Sequence, residues 1–123
     1  MWKLMLLAGA GGFVGTCCRF LINRLCSIYY TNLFPLATFL INVIGCLIFG
    51  LLFGLLNKNG IVPPKWNALL VVGFCGGFTT FSTFSFESMN LGLNGEWFLS
   101  LSYIIGSVIL GLLAVWVGIQ ITR

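Results

Sequence analysis

An all-α integral membrane protein of four spans, the third broken midway, is the fold this sequence predicts, and three observations carry the prediction. Hydrophobic residues make up 59% of the chain and charged residues only 7%, against about 25% charged in a soluble domain. Loop signals at residues 31–35, 57–65 and 90–97 cut the 123 residues into four apolar stretches, each close to the roughly 20 residues that cross a bilayer. The third stretch holds Gly73, Gly76 and Gly77 followed by Thr79, Thr80, Ser82, Thr83 and Ser85, which lipid alone would not select. Glycine costs about 1 kcal/mol relative to alanine inside a helix, so the helix is expected to unwind near Gly76 and Gly77 and to restart at Thr79 or Thr80. Irregular backbone at that depth must be covered by protein or line a wet cavity. A single polytopic domain, residues 1–123, accounts for the whole sequence.

The first span is expected from about Leu4 to about Leu25, with Trp2, Lys3, Tyr29 and Tyr30 as interfacial anchors. Lys3, an apolar run and Ala8-Gly9-Ala10 imitate a secretory leader. The run continues to Cys18, so a retained span is expected. Ala8, Gly12, Thr16, Arg19 and Asn23 recur at helical spacing and share one face. Arg19 either snorkels to the interface or stands at the mouth of an aqueous vestibule and concentrates anions.

The second span, about Leu36 to Leu56, carries Thr38, Asn42, Cys46, Gly50 and Gly54 every four residues, a stripe on which two helices can approach closely. Asn42 brings two N–H donors and a carbonyl acceptor into hydrocarbon, as interhelical glue or as part of a permeation path. Asn57-Lys58-Asn59-Gly60 reads as a turn and Pro63-Pro64-Lys65 as a linker. The third span is expected over about Asn67 to Met89. Asn94-Gly95-Glu96 closes the last loop, and the fourth span runs from about Phe98 to Ile121 with Tyr103, Ser107, Gly111, Ala114 and Gly118 on one face. Gly11-Gly12-Phe13 and Gly76-Gly77-Phe78 echo each other, too briefly to be a repeat.

The formal net charge of +4 comes from scattered positions. No clustered basic face exists for a nucleic acid. Lys3, Lys58, Lys65 and Arg123 share one side against Arg24 and Arg19 on the other, an excess of two charges that favours cytoplasmic termini and leaves room for some chains to insert the other way up. The five cysteines have no metal-ligand spacing, and histidine is absent.

These residues suit an ion better than a covalent reaction. No base other than Glu87 lies near the hydroxyls of the third span, so a serine or threonine nucleophile has nothing to activate it. With a helix restarting after the break, Phe81 and Phe84 share a face, while Thr79, Thr83 and Glu87 descend another. A small hydrated anion entering a narrow pore must exchange water for N–H, O–H and the positively polarised rims of phenyl rings. A small cation wants carbonyl oxygens, which an unwound turn can point inward. Phe81 and Phe84 could equally be packing, and the glycines close helix contacts.

Residues 73–84, Gly-Phe-Cys-Gly-Gly-Phe-Thr-Thr-Phe-Ser-Thr-Phe, resemble the signature of the Fluc (CrcB) family of fluoride channels. Gly11-Gly12-Phe13-Val14-Gly15 with Arg19, and residues 35–45 from Pro35 through Asn42 to Gly45, resemble two further blocks. The resemblance implies an antiparallel dual-topology dimer in the cell membrane, with two fluoride pores and a structural sodium ion between subunits. It implies pore roles for Asn42, Phe81, Ser82, Thr83, Phe84, Tyr103 and Ser107, and vestibule roles for Arg19 and Glu87. Backbone carbonyls of Gly76 and Thr79 from both subunits would hold the sodium. The second subunit is an identical chain or a paired homologue.

Two other functions fit the same length and span count. A proton-coupled multidrug exporter would need an acidic residue within a span; the first span has Arg19 and no acid, and only Glu87 keeps that reading open. In a non-transporting assembly subunit the polar stripes would serve as glue alone.

Overall fold

The computed structural model describes all 123 residues as helices joined by short connections. Helix α1 is Trp2–Tyr29 and α2 is Leu36–Leu56. The third span, Pro64–Leu93, divides into α3 (residues 64–78) and α4 (Phe81–Leu93). Helix α5 is Trp97–Thr122. Four spans are therefore long and apolar enough to cross a membrane, and the chain is a multi-pass membrane protein. Met5, Leu6, Phe13, Phe20, Ile105, Leu112 and Trp116 are exposed on the outside of the bundle, where lipid would meet them.

The first span is longer than expected because nothing stops it at Leu25. Glycine and proline are absent between Gly15 and Pro35, so the helix runs on to Tyr29. The third span starts at Pro64, whose missing N–H and preset φ suit a first helical turn. The second begins and ends where expected. Between α2 and α3 the chain reverses through Asn59 (φ 56°) and Gly60 (φ 80°), and Ile61 N donates to Lys58 O at 3.1 Å. Positive φ at both central positions explains the Asn-Gly pair.

Helices α2 and α5 meet along the stripe read from the sequence. A β-carbon at Gly111 would stand 3.4 Å from Cys46 Sγ. One at Gly50 would run into Val115 O, and one at Gly54 into Thr122 Oγ1. Extended one and two turns back, this register brings Asn42 to the level of Ser107 and Thr38 to the level of Tyr103. The most completely buried side chains, Tyr103, Ile41, Thr38 and Ser100, lie at that end of the pair. Ser100 Oγ donates to Ser88 O at 2.6 Å and ties α5 to α4.

Helix α1 packs against α3, and the two short motifs that echo each other are in contact. A β-carbon at Gly77 would stand 2.5 Å from Gly12 O and 2.9 Å from Gly12 Cα. Most of α3 is a π-helix, Asn67–Cys75, a widened form that concentrates at functional sites.

The break is displaced from its expected place. Gly76 and Gly77 are helical, Gly76 at φ −63° and ψ −38°. The chain extends instead at Thr79 (φ −81°, ψ 159°) and Thr80 (φ −147°, ψ 120°). Gly77 is small because α1 lies against it, and not because the helix unwinds there. Extended backbone suits β-branched threonine.

Candidate functional site

The interruption of the third span is held by two neighbouring helices and by its own residues. From α2, Asn42 Oδ1 accepts from Thr80 N at 2.8 Å while its Nδ2 donates to Thr80 O at 3.0 Å. From α1, Arg19 Nε donates to Gly77 O at 3.0 Å, and Thr16 Oγ1 approaches the same oxygen at 3.5 Å. Within the third span, Thr79 N and Oγ1 both donate to Cys75 O, at 3.0 and 2.8 Å, and finish α3. Thr80 Oγ1 accepts from Thr83 N at 3.3 Å and caps α4, a contact of the kind worth about 0.5–2 kcal/mol. Glycine at position 45 leaves room on α2 for the Thr79 methyl group and the Phe78 ring.

Beside the break lies an open groove of about 720 Å³, whose lining includes Asn42, Gly76, Thr79, Thr80, Phe81 and Phe84. Phe81 projects freely, 79% exposed. Its ring centroid is 6.0 Å from that of Phe84, at 45°. The Phe84 ring turns edgewise to Tyr103 at 5.1 Å and 61°, and Phe34 closes on the other side of Tyr103 at 5.4 Å and 81°. Tyr103 is fully buried, and its hydroxyl donates to Glu87 Oε1 at 3.2 Å. Glu87 lines a second, more polar cavity of about 320 Å³ with Asn23, Asn32 and Asn90.

Of the residues singled out from the sequence, Asn42, Gly76, Thr79, Phe81 and Phe84 gather around the groove. Tyr103 and Glu87 meet behind Phe84. Ser107 Oγ is buried without a partner, beside the α2–α5 stripe. Ser82 is exposed and lines neither cavity, and Thr83 serves the start of α4 through its N–H. Arg19 is half-buried and lies against the break.

Two contributors were not picked out as site residues. Thr38 Oγ1 is buried and unpartnered like Ser107 Oγ, and its place on the α2 stripe was the available signal. Thr80 is the residue whose peptide Asn42 holds; a residue that takes part through its backbone leaves little trace in side-chain chemistry.

The family model described as CrcB-like protein, Camphor Resistance (CrcB), matches residues 6–119. A protein of Chlorobium phaeobacteroides named fluoride-specific ion channel FluC is 41% identical, covering 99% of this chain and 94% of the relative. Relatives of the same name from Methylobacillus flagellatus, at 40% identity over 100% of this chain and 96% of the relative, and from Maridesulfovibrio salexigens, at 41% over 100% and 97%, match equally completely. With the match running through all four spans and through the interruption itself, the chain belongs to the CrcB family.

Proposed function

We propose that the chain is a passive, fluoride-selective channel that lets fluoride leave the cytoplasm down its electrochemical gradient, and that it works as an antiparallel dimer. The observation that carries this reading is the groove beside the break. No hydrogen bond within the chain ends on the carbonyls of Gly76 or Thr79, and both residues line the open groove. In hydrocarbon an unsatisfied backbone group costs several kcal/mol. A second copy laid against the groove removes that cost and turns Phe81 and Phe84 into pore walls. The names of the relatives supply the ion.

The free carbonyls suit a hard monovalent cation, and the residues fit a sodium ion held by Gly76 O and Thr79 O from each of two copies. Such an ion would neutralise carbonyl dipoles that would otherwise repel an anion. Around it this chain's own groups handle fluoride. The remaining N–H of Asn42, the phenyl rims and the hydroxyls of Tyr103 and Ser107 each replace part of a hydration shell. None carries a full charge, so the ion is accepted without being held too tightly to leave. Arg19 and Glu87 flank the path as vestibule residues.

Efflux of fluoride and of chloride from proteoliposomes containing this chain alone tests the reading. Fluoride should leave rapidly and chloride should stay. Absence of fluoride efflux from a correctly assembled dimer would favour an assembly subunit.

A further inference from the structure

Where α2 and α5 end side by side, two cations border one cavity of about 470 Å³ that no acidic side chain lines. Helix α2 stops at Leu56 and α5 at Thr122. The space between their last turns is lined by Lys58 and Arg123 together with the amides of Asn57 and Asn59. One turn back toward the bundle centre its lining becomes apolar, with Phe53 and Ile119. Thr122 donates its O–H to Gly118 O at 2.9 Å, so the donors left for a ligand are the two cations and the two amides. The turn that carries Lys58 and Asn59 is fixed by its own backbone, Lys58 N donating to Leu56 O at 2.9 Å and Ile61 N to Lys58 O at 3.1 Å. The acidic residues of the chain are far away. Glu87 meets Tyr103, roughly 30 Å from Arg123 along α5 at about 1.5 Å per residue, and Glu96 stands at the opposite end of that helix.

We propose that this cavity is a headgroup site for an anionic phospholipid. The phosphate lies between Lys58 and Arg123 and accepts N–H bonds from Asn57 and Asn59, while the glycerol end passes over Phe53 and Ile119 toward the acyl layer. Position decides the source of the phosphate. The cavity stands where two spans end, at the level of the polar headgroups, and basic pockets between spans bind anionic headgroups. The carbonyl ends of α2 and α5 favour cations at this place, yet two like charges bordering one cavity repel, and an anion between them reverses that term. A guanidinium meets phosphate through two parallel hydrogen bonds and an ammonium meets it as a point charge. A phosphatidylcholine brings a quaternary ammonium to the same place, so it is the poorer occupant. The site does not rest on the channel reading, since none of its lining residues borders the groove beside the break.

Native mass spectrometry of the full chain in detergent tests the proposal by counting the lipids that stay bound. Phosphatidylglycerol should be retained about tenfold better than phosphatidylcholine. Lys58→Gln and Arg123→Gln should each cut that retention by about tenfold, the worth of one charge-assisted hydrogen bond. Both side chains are exposed, so neither change disturbs the packing. Lys65→Gln is the control: it removes one charge from the same side of the membrane, but Lys65 is exposed and does not line the cavity. It should leave retention nearly unchanged. Equal losses in Lys58→Gln and Lys65→Gln would reduce the effect to diffuse attraction and overturn the site, as would equal retention of the two lipids. Inorganic phosphate at the same concentration should not displace phosphatidylglycerol, because it brings nothing to Phe53 and Ile119. Displacement would make a free anion the occupant and overturn the lipid assignment.

Discussion

Asn42 and Thr80 exchange two hydrogen bonds, amide to peptide, at 2.8 and 3.0 Å. The pair does the work of a rung of β-ladder between a helix and the second of the two extended residues beside it. It also leaves a single Asn42 N–H free for an ion.

Replacement of Asn42 should therefore affect both stability and flux. Asn42→Ala strands the Thr80 N–H and C=O, at about 1–3 kcal/mol for each group left unpaired, and should lower the melting temperature in detergent. Asn42→Asp keeps the acceptor for Thr80 N but sets a carboxylate against Thr80 O and against the anion. Its fluoride efflux should fall below that of Asn42→Ser. Equal rates for the two would count against Asn42 as a pore donor.

Phe81 and Phe84 should separate stability from conduction. Phe81 is 79% exposed, so Phe81→Ile should leave the melting temperature of the isolated chain nearly unchanged while cutting efflux strongly. Phe84→Ile also loses the edge contact with Tyr103, a pair of the kind worth about 0.5–1.5 kcal/mol, and should cost stability as well. Unchanged efflux from either variant contradicts its place in the pore wall.

Arg19 is expected to hold the break as well as to flank a vestibule. Arg19→Ala removes the donor to Gly77 O, a charged hydrogen bond worth about 1.5–3 kcal/mol. Amide hydrogen exchange over residues 79–83 should become faster, and Arg19→Lys should restore part of the protection. Exchange confined to its original rate would show that Asn42 suffices alone.

Gly76 offers a separate check on the second copy. A β-carbon there meets nothing within 4 Å inside the chain, and its backbone is ordinary helix. Gly76→Val should leave the monomer fold intact and weaken dimerisation, read by crosslinking at increasing dilution. By contrast, Gly50→Val drives a side chain into Val115 O on α5 and should cost about 1–3 kcal/mol or more through overpacking. A dimer insensitive to Gly76→Val would place the interface elsewhere.

A sodium ion between subunits predicts a melting temperature that rises with sodium concentration, following the logarithm of ligand over dissociation constant. A bulky organic cation at equal ionic strength should give no such rise. Matching curves for the two salts would remove sodium from the proposal.

Local chemistry made the spans and their small-residue stripes readable in advance. Leu36–Leu56 needed only its apolar run and its flanking Pro35 and Asn57, and the part of its stripe from Cys46 to Gly54 faces α5 as its spacing requires. Membrane helices satisfy their own backbone, so length and periodicity suffice. The same local reading misplaced the break at Gly76 and Gly77, and carried no sign of the π-helix over Asn67–Cys75. Whether a glycine unwinds a helix or admits a neighbour depends on what lies opposite it, and Gly77 lies against Gly12 from a distant part of the chain. Likewise Thr80 could adopt an extended backbone only because Asn42 on α2 supplies the hydrogen bonds the helix gives up. Composition and period thus set the four helices, while long-range packing decided where the third one opens, since only another helix can satisfy a peptide that water cannot reach.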